Sequence, residues 1–249
     1  MTLLFPDPGL KAPGFPHVLP QWPAPDLQWA GLTWDWPPPG KVRMRKLLSR
    51  AARRPIFRLA SVKLGRSVHT ESQLEEQVAR QLEACPSVSA YAEQPVMFHL
   101  TTIDGPMRHV PDFAVLQDDQ PSFLEIKYAK DIDAQVLKRT AILADRLAPF
   151  GMSYRLVTEA DLPSAARLAN AWALISRGRA KVSDLDTLLL HHQATHTTTL
   201  GELGWDNPSV ARRLARHILE GRLLVDLSVP LGGQSRVGAF VKKEAWLWA

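Results

Sequence analysis

The succession of apolar patterns along this chain predicts a mixed α/β core followed by a helix-rich module that closes on a β hairpin, a winged-helix arrangement. Three observations carry this. A four-residue apolar period after Thr70 gives way to three β-type runs between Val88 and Tyr128. A second helical pattern and one more strand follow. From Val182 onward, helical segments precede an alternating run punctuated by glycines.

The elements follow in order. In "TESQLEEQVARQLEACPSV" Leu74, Val78 and Leu82 mark one helix face, with Thr70 expected as N-cap, Gln73 closing the box and Pro86 ending the helix. Ser72-Gln73-Leu74-Glu75 is a competing capping box in the same stretch. The β-type runs are Val88 to Leu100, with a break near Gln94 and Pro95, then Arg108 to Val115, then Ser122 to Tyr128. Short loops at Asp104-Gly105 and Asp118 to Pro121 suit antiparallel pairing. "IDAQVLKRTAILADRLAPFG" is an amphipathic helix. "MSYRLVTEADL" is a strand leading into a helix near Ser164 to Ser176. Beyond these, "SDLDTLLLHHQAT" and "TLGELG" predict two helices and "NPSVARRLARHILEG" a third, with Asn207 as cap, Pro208 in the first turn and Gly221 as stop. "RLLVDLSVPLGGQSRVGAF" alternates Val225, Leu227 and Val229 and turns at Gly232-Gly233, as a hairpin would. The implied domains are an arm over 1–40, a basic segment over 41–67, an α/β domain over 68–180 and the winged-helix module over 181–249.

Residues 1–40 hold ten of the 20 prolines and four of the eight tryptophans. Proline blocks helix and central strand, so an extended arm without its own core is expected. Trp22, Trp29, Trp34 and Trp36 are too apolar for a spacer and should dock, either onto this protein or onto a partner. The net charge of +5 is unevenly spread: residues 41–70 carry ten Lys or Arg and no acid, which leaves 20 basic against 25 acidic residues elsewhere. Lys41, Arg43, Arg45, Lys46, Arg50, Arg53, Arg54, Arg58, Lys63 and Arg66 suit a polyanion, and nucleic acid is the expected one. No run reaches the ~20 apolar residues of a membrane helix, and "MTLLFPDPGLK" lacks the order of a secretion signal. With Cys85 the single cysteine, a cytoplasmic, DNA-associated protein is expected.

The chemistry centres on "HVPDFAVLQDDQPSFLEIKYAKD". Side chains at i and i+2 leave one face of a strand, so Glu125 and Lys127 point together while Ile126 points into the core. Asp112 begins the neighbouring strand, and Asp112 and Glu125 can converge on one divalent cation with the Ile126 carbonyl as a further ligand. Hard oxygen donors suit Mg²⁺, with Mn²⁺ as a substitute. Such an ion activates water against a phosphodiester, and Lys127 would position that water or stabilise the added negative charge. Glu75, on the edge of the first helix's apolar stripe, is the expected third acid, with Glu71 one turn earlier as the alternative.

These segments resemble a family. "SQLEEQVARQLEACPSVSAYAEQPV", "VPDFAV", "FLEIKY" and "SYRLVTEADL", from about Val68 to Leu162, look like the N-terminal nuclease domain of TnsA, the endonuclease subunit of heteromeric transposases, in the PD-(D/E)XK superfamily. The resemblance implies a restriction-endonuclease-like core with Glu75, Asp112, Glu125 and Lys127 as the active-site set. It also implies cutting at the 5′ ends of a transposable element beside a DDE-type transposase, under an AAA+ regulator. The winged-helix tail fits that family's second domain. A stand-alone restriction or repair nuclease and a catalytically silent DNA-binding adaptor are the competing functions.

Two other groups draw less weight. His191, His192 and His196 in "LHHQATH" lack the glutamate and cysteines of zinc motifs and suit a polar helix end. Arg212, Arg213 and Arg216 line the outer face of their helix and could reach a nucleic-acid groove or an acidic partner.

Overall fold

A computed structural model describes residues 31–45, 55–179, 183 and 198–237. The described residues form two units. The first runs up to Glu76 and resumes over Val88–Ala160; the second takes Gln77–Ser87 and the chain from Asp161 onward. Among the described residues no helix is long and apolar enough to cross a membrane.

The first unit is built on a four-stranded mixed sheet. Its strands are β4 (Val88–Glu93), β7 (Phe113–Gln117), β8 (Gln120–Ile126) and β9 (Ser153–Val157), in that spatial order. β4–β7 and β7–β8 are antiparallel, and β8–β9 is parallel. The β7–β8 connection is tighter than a loop to Pro121: Gln117 pairs with Gln120, and Asp118 and Asp119 make the turn at φ 46° and 61°. Aspartate tolerates this left-handed backbone better than most side chains do, because it bonds locally.

A second sheet orders β1 (Leu32–Asp35), β5 (Met97–Thr102) and β6 (Gly105–His109). The expected run from Arg108 to Val115 is therefore two strands in two sheets, parted at Val110-Pro111-Asp112, where Pro111 has no N–H to give a ladder. The break expected near Gln94 is present, with Gln94 itself at φ 46°. β1 belongs to the proline-rich arm, and its Trp34 is 5% exposed, edge-on to Phe98 at 6.4 Å and to Phe150 at 6.0 Å. Of the two docking alternatives, Trp34 docks on the protein itself, and Trp36 packs against the same core. Trp22 and Trp29 lie outside the described residues. That core gathers Leu32, Phe98, Phe123, Leu143 and Leu147, with Phe98 and Phe123 edge to face at 4.9 Å.

The basic segment is partly folded. β2 (Phe57–Ser61) and β3 (Arg66–Thr70) form a hairpin. Arg66 grips the buried Glu93 through both carboxylate oxygens at 2.8 Å, Arg43 reaches the same Glu93 at 3.4 Å, and Lys63 donates to the Val88 carbonyl at 2.7 Å. Those three cations are engaged inside the protein, which departs from the expectation that they face nucleic acid. Lys41, Arg45 and Arg58 are exposed. Lys46, Arg50, Arg53 and Arg54 lie outside the described residues.

α1 (Gln73–Ala84) begins two residues later than a Thr70 cap would set it. Ser72 is the cap: its hydroxyl accepts from the Glu75 N–H at 3.1 Å, while the Thr70 hydroxyl is buried without a hydrogen bond. Ser72 wins because its oxygen faces the N–H three residues on. α2 (Ala134–Leu147) is capped by Asp133, which accepts from the Val136 N–H at 2.8 Å.

In the second unit α3 (Ala165–Arg177) and α4 (Pro208–Leu219) pack together, capped by Ser164 and Asn207. "TLGELG" is not a helix. Thr198–Thr199 forms β10, paired with β11 (Arg236–Val237), and Gly201 donates to the Gly233 carbonyl at 2.7 Å. A side chain on Gly201 would lie 2.9 Å from that carbonyl oxygen, so glycine permits the approach. Of the expected hairpin, the described residues show one bridge, Val225 with Val237. Asn170 on α3 takes the backbone that would have paired: it donates to the carbonyls of Leu227 and Val229 and accepts from the Leu231 N–H. "SDLDTLLLHHQAT" beyond Ser183, with His191, His192 and His196, lies outside the described residues.

Candidate active site

The β7–β8 ladder sets the first two acids by register. Phe113 pairs with Leu124, so Asp112 sits one residue before the ladder and Glu125 one after it. The Asp112 N–H donates to the Leu124 carbonyl at 3.0 Å, and its carboxylate accepts the Ile126 N–H at 2.7 Å. That return bond spans the strand end and fixes the carboxylate beside β8. Its other oxygen accepts no hydrogen bond from the described residues. β4 supplies a brace, since the Gln94 N–H donates to the Asp112 carbonyl at 2.8 Å despite its left-handed backbone.

Glu125 is 3% exposed, and Lys127, one residue past β8, carries its ammonium 3.8 Å from Glu125 Oε1. The two share a face as a strand requires, with Ile126 buried between them. Glu75 lies in the first turn of α1. Its carboxylate accepts from the Glu71 N–H at 3.0 Å and from the Ser72 hydroxyl at 2.9 Å, so it completes the cap as well as facing the site. Glu71 instead accepts from the Gln94 side-chain amide at 3.3 Å.

The electrostatics join the four residues. Burial raises the Asp112 carboxyl well above the aspartate range, the negative charges of Glu125 and then Glu75 raise it further, and the Ile126 N–H and Lys127 only partly offset this. Glu75 is raised too, by burial first, against the lowering effect of its bonds to Glu71 and Ser72. Glu125 goes the other way. Burial pushes it up, but the contact with His109, then the charges of Arg139 and Lys127, bring it below the glutamate range. Glu75 is the helix acid whose charge acts on Asp112, which separates it from Glu71.

Three partners of Glu125 were not legible in the sequence. Arg139 of α2 donates to Oε1 at 2.9 Å. His109 Nε2 lies 2.9 Å from Oε2 and 2.8 Å from the Tyr154 hydroxyl, which itself donates to Oε2 at 3.3 Å. Burial and the charge of Glu125 push the Tyr154 phenol well above its ordinary value, so it serves as a donor. Tyr154 is the register partner of Phe123, two residues before Glu125, a pairing that only the folded sheet reveals. Nothing local marks Arg139 or His109.

Burial, Glu125 and Glu75 all oppose the ionisation of Asp112. Among the described residues no group of three or more His, Cys, Asp or Glu side chains is gathered closely enough to hold a metal ion.

Neither a protein-family model nor a curated protein matches the sequence. Among solved structures the chain is similar to protein VC1899 from Vibrio cholerae, at a TM-score of 0.25 and 18% identity over 34% of this chain. The match spans 22% of that structure's own length.

Proposed function

We propose that this chain is a Mg²⁺-dependent DNA endonuclease with a restriction-endonuclease-like core, acting as the 5′-end-cutting subunit of a heteromeric transposase. The observation that carries the reading is Asp112, a carboxylate whose charge is opposed first by burial and then by Glu125 and Glu75, beside the Lys127 ammonium. A fold gains nothing in stability from such crowding; a cation site does.

Asp112, Glu125, Glu75 and the Ile126 carbonyl would hold the ion. When bound, it supplies an activated water and charge stabilisation at the phosphorus. The chain's own residues do the rest. The Ile126 N–H and the Gln94 brace keep Asp112 in one orientation. His109 and Tyr154 do the same for Glu125, and His109, Arg139 and Lys127 favour its anionic form. Lys127, half-exposed, meets the phosphate oxygens as negative charge builds on them. The exposed Lys41, Arg45 and Arg58 add contacts to the DNA backbone without reading sequence. The second unit is read as the winged-helix module that meets the DDE-type transposase or the AAA+ regulator, and the protein as a cytoplasmic one that works on DNA.

A second reading, the silent DNA-binding adaptor, draws on Glu125, both of whose oxygens already have protein donors. Strand-resolved cleavage of DNA carrying an element end, with and without the neighbouring transposase, separates the readings. Cutting at the 5′ end that needs the partner supports the transposase subunit. Cutting by the chain alone makes it an independent nuclease, and binding without cutting in either case leaves the adaptor.

A further inference from the structure

The sheet of β1, β5 and β6 buries one face, with Leu32, Trp34, Phe98 and Leu100 in the core. Thr33, His99, Thr101, Pro106 and Arg108 alternate with core-facing residues and leave the opposite face. Register sets them in two rows. Thr33, His99 and Arg108 form one, and Thr101 with Pro106 the other, which Gly31 extends by accepting the Thr101 N–H at 2.9 Å. The two rows line a hollow of about 390 Å³, within the ~300–1,000 Å³ range of small-ligand sites. Gly31, at φ 78°, keeps one end clear, since a Cβ there would stand 3.5 Å from the Thr101 side chain.

Hydrogen-bond donors surround this hollow. Arg43, Arg66 and Arg139 of the same unit each reach a buried glutamate, whereas Arg108 is exposed and makes no hydrogen bond or ion pair among the described residues. His99 Nε2 lies 2.7 Å from the Asp35 carboxylate, which pairs with Met97 on the side of His99 opposite Thr101. That bond orients the ring, and in its protonated form Nδ1–H is a further donor. Thr33 and Thr101 add hydroxyls. A carboxylate offers two oxygens, which the Arg108 fork alone would occupy; a phosphate monoester offers three, enough for the fork and the hydroxyls together. Acids bracket the hollow along the strands: Asp35, 65% exposed, beyond one row, and Asp104 at the β5–β6 turn, paired with Lys138, beyond the other. A strand of successive phosphates would run onto Asp35, while a compact anion stays beside Arg108. We propose that this hollow binds a small organic phosphate monoester, with its phosphoryl group on Arg108, Thr33 and Thr101 and its organic part against Pro106.

The test is calorimetric titration of the full chain with phenyl phosphate in EDTA, with benzoate and a short DNA duplex as comparison ligands. Wild type should bind phenyl phosphate more tightly than benzoate. Arg108→Gln should weaken that binding at least about tenfold, the scale of a lost charge-assisted contact, and should melt with wild type because the side chain is exposed. Thr101→Val should weaken it less. Arg179→Gln, which alters an exposed arginine outside the hollow, should bind as wild type does. No binding of phenyl phosphate by wild type, binding equal to that of benzoate, or equal losses in Arg108→Gln and Arg179→Gln overturns the proposal. Displacement of phenyl phosphate by the duplex, with duplex affinity that falls in Arg108→Gln, also overturns it and makes the hollow a DNA-backbone contact. The acids at the end of β8 share no residue with the hollow, so none of these outcomes decides the nuclease reading.

Discussion

At Asp112 burial, Glu125 and Glu75 all favour the protonated form. Its proton affinity is higher folded than unfolded, so folding is penalised as pH rises from the ordinary aspartate range, ~4, through the folded value, and the penalty persists above it. Glu125 has the opposite sign: its contribution is present above the ordinary glutamate range and is lost as pH falls through its lowered folded value. Asp112→Asn keeps an oxygen for the Ile126 N–H and removes the charge. It should therefore melt higher than wild type in EDTA at neutral pH, each kcal/mol recovered adding about 2–4 °C. The gap should close as pH approaches 4. A variant that melts lower throughout would mean that Asp112 is a structural acid. Asp112, Glu125 and Lys127 were legible because strand period and a short turn bring them together. Arg139, His109 and Tyr154 were not, because helix α2, strand β6 and the parallel strand β9 deliver them through tertiary packing.

Among the elements, β1 and the β2–β3 hairpin show how composition misleads. A proline-rich arm reads as coreless, yet Leu32 and Trp34 lie in the core because alternation within "LTWD" matches the edge of β5. Trp34→Ala should cost about 3–5 kcal/mol, measured by denaturant unfolding. Likewise, a run of ten cations reads as one polyanion surface, but burying Glu93 recruits Arg66 and Arg43 inward. Arg66→Ala leaves Glu93 with only the longer Arg43 contact and should cost about 3 kcal/mol. Arg58→Ala, at an exposed position, should leave stability within ~0.5 kcal/mol and lower DNA affinity with a shallower salt slope. Equal stability losses in the two variants would contradict this division. The helix α1 was legible in its apolar stripe but not in its cap, where two boxes competed across two residues.

For the whole molecule, the sequence order of helix, strands, helix and strand was enough to predict a mixed α/β core. The boundaries were harder to read, because the second unit takes Gln77–Ser87 from within the span of the first. Its tail departs furthest from expectation: Asn170 satisfies the backbone that a hairpin partner would have paired, and no local pattern announces a side chain 57 residues away. The function proposed for the molecule is hydrolysis of a phosphodiester at the end of β8. The most direct test is cleavage of supercoiled and linear DNA in Mg²⁺ by wild type, Asp112→Asn and Lys127→Ala, with the partner transposase present. The account predicts cutting by wild type that is lost in EDTA, abolished in Asp112→Asn and reduced by at least about a hundredfold in Lys127→Ala. Cutting that persists in Asp112→Asn, or DNA binding by wild type with no cutting at all, would contradict it.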